Sequence, residues 1–128
     1  MKNRTNTSSG TTWEEIVGYS RAVRVGQMVE VAGTTAIQDG QPVGENDPYT
    51  QTRVILALIE QALRQAGASL EDVVRTRIFV TDMQRWEEVG RAHGEFFRDI
   101  RPVTTMVEVK SLIHPSLLVE IEATAVIQ

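Results

Sequence analysis

Two runs of strictly alternating residues near the carboxyl end constrain the fold of this chain most strongly. The first run covers residues 103–110 and the second covers residues 118–127. In each run one face is apolar and the other carries polar or charged side chains, a period of two that is typical of half-buried β-strands. The polar face of the second run carries two carboxylates, Glu120 and Glu122. Because carboxylates are rarely buried without a partner, we expect this face to meet water, a cleft or cations.

The amino-terminal third is predicted to contain a polar arm followed by a hairpin. Residues 1–12 are almost entirely polar and are predicted to form a flexible arm, which leaves residues 13–128 as a single domain. Within that domain, residues 19–25 and residues 28–34 alternate on either side of Gly26-Gln27. Alternating runs separated by a glycine-containing pair predict a hairpin with a two-residue turn.

Two helices and a third strand are predicted in the middle of the chain. Asp47-Pro48 matches a helix start, with aspartate as the N-cap and proline in the first turn, and Gly67 is placed to end that helix. Residues 74–81 alternate as a strand, and Asp82 then caps a second helix that must end before Pro102. The apolar positions of the second helix predict a buried face formed by Trp86, Val89, His93, Phe96 and Phe97.

The resulting order β-β-α-β-α-β-β predicts an α+β fold, with a mixed sheet and two helices packed on one of its faces. The other face then collects polar side chains of both charges, and either solvent or further copies of the chain must cover it. The residues alone leave these alternatives open. The side chains predicted on this second face are Glu30, Arg75, Arg77, Thr104, Met106, Glu108, Glu120 and Glu122.

Composition argues against several function classes. The 128-residue chain carries a net charge of −4 and no basic stretch longer than two residues, so nucleic acid is not expected as a partner. The absence of cysteine and the presence of only two histidines argue against a disulfide framework and against a metal site. No apolar run approaches the roughly 18 residues of a membrane span, and residues 1–12 lack the apolar core of a secretory signal. We therefore expect a cytoplasmic protein without a membrane partner.

Several short blocks between residue 19 and residue 128 give the chain a family resemblance. They are residues 29–34 (VEVAGT), 66–74 (AGASLEDVV), 79–83 (FVTDM), 94–97 (GEFF), 101–102 (RP) and 119–123 (VEIEA). In these blocks and in their order the chain resembles the RidA/YjgF family, which is also described as L-PSP endoribonuclease-like. The resemblance implies a chorismate-mutase-like fold, a homotrimer with a central barrel, clefts for small-molecule ligands between subunits, and no cofactor.

The resemblance also implies a candidate site. Family members that deaminate reactive enamines and imines clamp the substrate carboxylate with an arginine and orient the hydrolytic water with a carboxylate on the last strand. A tyrosine and a glycine backbone group complete the pocket. Matched by position, the tyrosine falls on Tyr19, the glycine on Gly33 and the catalytic carboxylate on Glu120. The arginine position is occupied by Thr104, and a neutral hydroxyl cannot replace a bidentate cation.

Three further departures from the deaminase pattern fall on the same pocket. Gly90 replaces the pocket asparagine, Met106 replaces the small residue after the clamp, and the loop containing residues 113–116 is one residue longer. These differences predict a divergent branch of the family without the standard 2-imino acid deaminase activity. Three long cations remain that could reach the vacant position: Arg75, Arg77 and Arg101.

Three functions are compatible with the sequence. The first is binding of a small ligand, or cofactor-free hydrolysis of its C–N bond, with Glu120 as the general base. The second is a non-catalytic ligand-binding or regulatory trimer, in which Glu120 only forms an ion pair with Arg75 or Arg77. The third, an endoribonuclease or translation inhibitor, is the weakest, because the chain is acidic and its two histidines suggest no acid–base pair. Tyr19 and His93 also have simpler interpretations, as a strand aromatic and a core histidine.

Overall fold

The computed structural model describes residues 3–128. The elements, in chain order, are β1 (Arg4–Thr7), α1 (Thr12–Val17), β2 (Ala22–Val25), β3 (Met28–Thr35), β4 (Ile37–Gln38), β5 (Gln41–Pro42), α2 (Pro48–Gln65), β6 (Val73–Val80), α3 (Trp86–Phe97), β7 (Val103–Glu108) and β8 (Val119–Val126). Short 3₁₀ turns over Leu70–Asp72 and Met83–Arg85 precede β6 and α3.

Six of the strands form one sheet, in the order β1-β2-β3-β8-β6-β7, and β4 pairs with β5 in a separate short ribbon. Neighbours in the large sheet are antiparallel except β6 and β7, which are parallel. The β2–β3 hairpin pairs Val25 with Met28, so its turn lies at Gly26-Gln27 as predicted. The mixed sheet with its helices confirms the predicted α+β fold class.

The two long helices pack on one face of the sheet, as predicted. α2 begins after Asp47, whose carboxylate accepts a hydrogen bond from the backbone N of Thr50 at 3.1 Å. Ile59 of α2 is fully buried in one core with Ile78 and Ile121 of the sheet. Burial of this apolar stripe is the main contribution that holds the helix layer on the sheet. The sheet face turned away from α2 and α3 is called the open face below.

Gln51 on α2 ties the loop before β8 to the helix layer. Its side chain is fully buried, and Nε2 donates to the carbonyl oxygens of Gly44 (3.1 Å) and Ser116 (2.8 Å). Its Oε1 accepts a hydrogen bond from the backbone N of Leu118 at 2.8 Å. Because a buried amide with these partners fixes the loop that precedes Glu120, the first residues of β8 have a defined position.

The prediction of a flexible arm over residues 1–12 is wrong for the residues that the structure describes. Strand β1 pairs antiparallel with β2, and helix α1 follows β1. The Glu14 carboxylate holds the connecting segment by accepting hydrogen bonds from Ser8 Oγ at 2.9 Å and Ser9 N at 3.1 Å. The polar composition misled the prediction, since an edge strand pairs its backbone with one neighbour and needs no continuous apolar face. The first two residues lie outside the described part of the chain.

The two faces of β7 are opposite to the prediction. β7 pairs with β6 so that Thr76 lies beside Thr104 and Ile78 beside Met106. Thr76 and Ile78 are buried beneath the helices, and side chains paired across neighbouring strands share a face. Thr104, Met106 and, by the same alternation, Glu108 therefore point to the helix side of the sheet and not to the open face.

The position of β7 at the edge of the sheet explains this error. An edge strand is solvated on both faces near its ends, so its apolar residues do not identify the core side. Val103 and Val107 lie on the open face and are 57% and 41% exposed. The structure places the remaining predicted residues on the open face: Glu30, Arg75, Arg77, Glu120 and Glu122.

The buried face predicted for the second helix is confirmed in part. Val89 and Phe97 are buried, whereas His93 and Phe96 are half-buried. Trp86 was predicted to be buried, but its side chain is 52% exposed. It is the first residue of α3, and its ring lies over the backbone of the next helical turn instead of over the core.

Candidate functional site

The structure separates the candidate site residues into two groups on opposite sides of the sheet. The first group, called the Glu120 half-site, lies on the open face and contains Tyr19, Arg21, Gly33 and Glu120. The second group, called the Thr104 half-site, lies on the helix side of β7 and contains Thr76, Gly90, His93, Thr104 and Met106.

Glu120 and Gly33 are in direct contact in the Glu120 half-site. Glu120 pairs with Thr35 of β3, and the register of this pair of strands shifts between Val31 and Thr34. The irregularity brings the Gly33 backbone under the Glu120 side chain. A Cβ atom at Gly33 would overlap Oε2 of Glu120 and lie 3.1 Å from its Cδ. Glycine is therefore required at this position if the carboxylate is to lie against the β3 backbone.

Tyr19 is positioned by the end of α1. Gly18 adopts a left-handed conformation with φ of 86°, and the backbone N of Tyr19 donates to the carbonyl oxygen of Glu14 at 3.0 Å. The chain then enters β2, and the Tyr19 ring lies 5.7 Å from the guanidinium carbon of Arg21. Helix α1, which the sequence did not predict, therefore orients one of the predicted site residues.

Arg21 is a member of the Glu120 half-site that sequence reasoning missed. Its Nη1 donates to the carbonyl oxygen of Gly33 and to Oγ1 of Thr34, both at 2.9 Å. Its Nη2 lies 3.5 Å from the hydroxyl of Tyr19. Arg21 is two residues after Tyr19 in an alternating stretch, and this period of two could have placed both side chains on one face.

Among residues 3–128, no side chain forms an ion pair or a hydrogen bond with the Glu120 carboxylate. Arg77 is bound instead to Glu122, at 3.2 Å. Glu120 forms no ion pair within the part of the chain that the structure describes. Burial raises the pKa of Glu120 above its ordinary value, and the charge of Glu122 raises it further, whereas Arg21 lowers it. A half-buried carboxylate with a raised pKa is suited to accepting a proton near neutral pH.

A chain of hydrogen bonds forms the centre of the Thr104 half-site. The Oγ1 atoms of Thr104 and Thr76 lie 2.8 Å apart, and Oγ1 of Thr76 lies 2.9 Å from Nε2 of His93. Thr76 is fully buried, whereas Thr104 is exposed at the sheet edge. The His93 ring packs on Phe97 with a centroid distance of 4.7 Å. Burial lowers the pKa of His93 to about 4, so its imidazole is neutral at pH 7.

Gly90 and Met106 border the same chain of hydrogen bonds. Gly90 precedes His93 by one helical turn on α3, so both lie on one side of that helix. A Cβ at Gly90 would lie 3.6 Å from the ring of Trp86, which is ordinary contact. Met106 follows Thr104 on the same face of β7 and packs against the core. These two predicted residues therefore belong with Thr104 and not with Glu120.

Three cations were predicted to substitute for the arginine that the family resemblance implies, and all three lie away from Thr104. Arg75 and Arg77 project to the open face, opposite to Thr104. Arg101 donates from Nε to the carbonyl oxygen of Arg98 at 3.0 Å, at the end of α3. Within residues 3–128, none of the three hydrogen-bonds to Thr104. A cation does exist near the candidate catalytic carboxylate, but it is Arg21.

Because the sheet lies between them, the two half-sites of one chain cannot bind the same small ligand. Two hollows on the single chain are lined by residues of neither group. One of about 380 Å³ lies beside Glu60 and Arg64 on the outer side of α2. Another of about 120 Å³ lies beside Asn46 and Asp82. A shared cleft therefore requires the Glu120 half-site of one copy to face the Thr104 half-site of another.

In the described range, 3–128, no three His, Asp or Glu side chains come together in an arrangement that could hold a metal ion. Over the same range, no helix has the length and apolar character needed to cross a bilayer.

The stability of the folded chain is expected to depend on pH because His93 is held neutral in the fold. Its pKa in the folded chain is about 4, below the ordinary value of 6.5, so the unfolded chain binds the proton more readily between these values. We expect the stability contributed by this group to be complete above pH 6.5 and to fall as the pH drops toward 4. When urea unfolding is measured from pH 7.5 to 4.5, the free energy of unfolding should fall less in His93→Gln than in the wild type. The control His114→Gln, in an exposed loop, should match the wild type.

Comparison with known proteins agrees with this architecture. A family model described as Endoribonuclease L-PSP matches residues 10–127. The structure of Rv2704 from Mycobacterium tuberculosis, described as a member of the YjgF/YER057c/UK114 family, is 59% identical with a TM-score of 0.89, covering 97% of this chain and 99% of that one. YyfA of Yersinia pestis, described as a Rid family protein of unknown function, is 30% identical with a TM-score of 0.83, covering 97% and 99%.

Sequence relatives point the same way. The uncharacterized protein SCO2049 of Streptomyces coelicolor is 43% identical over 117 residues, which is 91% of this chain and 87% of that protein. A RutC family protein of Pyrococcus abyssi is 34% identical over 109 residues, 84% of each chain. The family model matches nearly the whole length, and the fold agrees with the solved structures of that family. The chain therefore belongs to the Endoribonuclease L-PSP family, the group also named YjgF.

Proposed function

We propose that the protein binds a small molecule in clefts between copies of the chain and hydrolyses a C–N bond there without a cofactor. The observation that carries this proposal is the placement of Glu120. Its carboxylate lies against the Gly33 backbone, beside the Arg21 cation, and forms no ion pair among residues 3–128. A carboxylate that is held in place but not neutralised can orient a water molecule and accept its proton.

The proposed reaction needs only this chain and water. Glu120 holds the water and takes its proton as the oxygen attacks the carbon of a C=N bond. Glu120 passes this proton to the nitrogen, which gives a carbinolamine. A second proton then moves from the carbinolamine hydroxyl to the nitrogen by way of Glu120, so the C–N bond breaks, ammonia leaves and a carbonyl compound remains. Arg21 keeps Gly33 and Tyr19 in place by its hydrogen bond and its contact with the ring, so the floor of the cleft does not rearrange during the reaction.

The proposed assembly is the homotrimer that the family resemblance implies. Large apolar side chains are exposed on α1 and on the open face, and burying such side chains against another copy is favourable. They are Trp13, Ile16, Val17, Val25, Val103 and Val107. Such an assembly would let the Thr104 half-site of one copy face the Glu120 half-site of the next.

A non-catalytic ligand-binding or regulatory trimer is the second candidate, and Thr104 is the observation that favours it. The position that the resemblance assigns to the substrate clamp holds a neutral hydroxyl, and no cation described in residues 3–128 hydrogen-bonds to it. Ribonuclease activity is a weaker proposal, since the net charge of −4 opposes the binding of a polyanion.

Gly33→Ala tests the observation that carries the proposal. The added methyl group must displace the end of the flexible Glu120 side chain, so we expect the site to be lost while the fold is kept. Hydrolysis should be measured in the Thr104→Arg background with 2-iminobutyrate, and the midpoint of thermal unfolding should be recorded alongside. The matched control is Gly94→Ala, where a Cβ would meet only the Arg98 guanidinium at 3.7 Å. Turnover in Gly33→Ala equal to that of the control would exclude Glu120 at its present position as the base.

A further inference from the structure

The position of the missing arginine is filled by a connected group of neutral side chains. Thr104 is exposed at the sheet edge, and its hydroxyl is linked through buried Thr76 to the imidazole of His93. The second contact of the Thr104 hydroxyl, to the carbonyl oxygen of Pro102, is long at 3.3 Å. Thr104 therefore has hydrogen-bonding capacity left for a ligand.

The tautomer of His93 decides which group donates in this chain of hydrogen bonds. The chain of side chains is uncharged with either tautomer. If Nε2 is unprotonated, Thr76 donates to His93 and Thr104 donates to Thr76, which leaves lone pairs of Thr104 facing the cleft. If Nε2 carries the proton, each donor is reversed and Thr104 offers its hydrogen instead. In both arrangements the group presented to the ligand is uncharged and fixed in orientation.

The charged groups near β7 do not change this conclusion. Arg75 and Arg77 project to the other face of the sheet. Glu108, on the same face as Thr104, accepts a hydrogen bond from the backbone N of Met83 at 2.8 Å. A ligand carboxylate placed at Thr104 would lose its hydration without gaining a cation, whereas an amide or carbonyl group could satisfy its hydrogen bonds there.

From this arrangement we propose that Thr104, oriented by Thr76 and His93, selects ligands with an uncharged polar group, such as a carboxamide, where related deaminases bind a carboxylate. The inference rests on the proposed function in one respect, since it uses the same cleft between copies. It deepens that function by naming the class of ligand, a neutral amide-bearing or carbonyl-bearing imine or its product. Thr104 is the specificity residue, and Thr76 and His93 are positioning residues.

Two nearly isosteric probes test the inference, namely 2-oxobutyrate and 2-oxobutyramide, which differ by a carboxylate and a carboxamide. Both are titrated into the full-length wild-type protein at pH 7, and binding is followed by the NMR shift of the Gly33 amide. We expect 2-oxobutyramide to bind at least about tenfold more tightly than 2-oxobutyrate. The carboxamide can satisfy its hydrogen bonds at Thr104, whereas the carboxylate loses its hydration there without gaining a cation.

Variants of β7 assign the preference to one hydroxyl. Thr104→Val, which keeps the shape of the side chain, should weaken binding of 2-oxobutyramide about tenfold and leave 2-oxobutyrate unchanged. Thr104→Ser should retain the preference for the amide, and Thr104→Arg should reverse it. Thr105→Val, the same change on the opposite face of β7, is the matched control and should behave as the wild type. Thr76→Val should reduce the preference without removing binding, as expected of a positioning residue.

Each outcome has a separate meaning. Equal affinities for the two probes, or a Thr104→Val variant that still prefers the amide, would overturn this inference while leaving the cleft of the proposed function in place. A wild type in which neither probe shifts the Gly33 amide would count against both the inference and the proposed function.

Discussion

Purified protein should accelerate the hydrolysis of 2-aminoacrylate and 2-iminobutyrate little or not at all. Both substrates carry a carboxylate next to the reacting carbon, and Thr104 offers it no positive charge. The carboxylate would also approach Glu120 on the facing copy, which adds repulsion between like charges. Loss of a charge-assisted pair in a cleft costs about 2–5 kcal/mol, which is roughly 1.4 to 3.6 decades in affinity.

A coupled assay measures this directly. An amino-acid dehydratase generates the imine, and release of the keto acid is followed with and without the protein. Robust turnover by the wild type would contradict the expectation, and Arg21 would then be the first cation to replace, because it already lies beside Gly33 in the Glu120 half-site.

Thr104→Arg should raise that turnover by roughly two to three decades, since it would supply the clamp that the family resemblance implies at this position. Thr105→Arg adds the same charge on the open face of β7 and is the matched control, for which no gain is expected. If both variants are equally inactive, then Gly90, Met106 and the longer loop before β8 have rebuilt the pocket beyond the loss of one cation.

Glu120→Gln should have the second large effect. In the Thr104→Arg background we expect turnover of 2-iminobutyrate to fall by about two decades or more, because general-base catalysis contributes roughly 10²–10⁴-fold. The amide keeps the size of the side chain and can still hydrogen-bond a water molecule, but it cannot take a proton from water near neutral pH. Glu120→Ala, measured alongside, also removes the capacity to hold the water.

The two variants also separate an enzyme from a binding module. Sedimentation velocity reports the oligomeric state of each variant at micromolar concentration. An enzyme loses turnover in both variants while the assembly persists. Dissociation of the assembly without any loss of turnover would show that Glu120 is a structural residue, and the non-catalytic trimer would then be the better description.

The sequence predicted the parts of the fold that depend on local pattern. Asp47 starts α2, Gly26-Gln27 turns the hairpin, and the alternation of β8 places Glu120 opposite its buried neighbours. These features follow from capping, turn geometry and burial of a central strand, each of which is encoded within a few residues.

The errors arose where tertiary pairing decides the outcome. β1 is polar and forms only because β2 offers it an unpaired edge. The face of β7 is set by its register with β6, which no property of residues 103–108 reveals. As a result, Thr104 was predicted on the same sheet face as Glu120, whereas the structure puts the sheet between them. Arg21 was missed because its role depends on the irregular pairing that exposes Gly33 to it.

The division of the site between two copies of the chain is tested most directly by cross-linking. The chain contains no cysteine, so Thr104→Cys and Glu120→Cys introduce the only thiols. The double variant is treated with a short bifunctional thiol reagent and resolved by denaturing electrophoresis, with each single variant as a control. Covalent dimers and trimers in the double variant alone are the expected result. Monomers alone, in protein whose two cysteines both react with a monofunctional thiol reagent, would contradict a cleft built from facing half-sites.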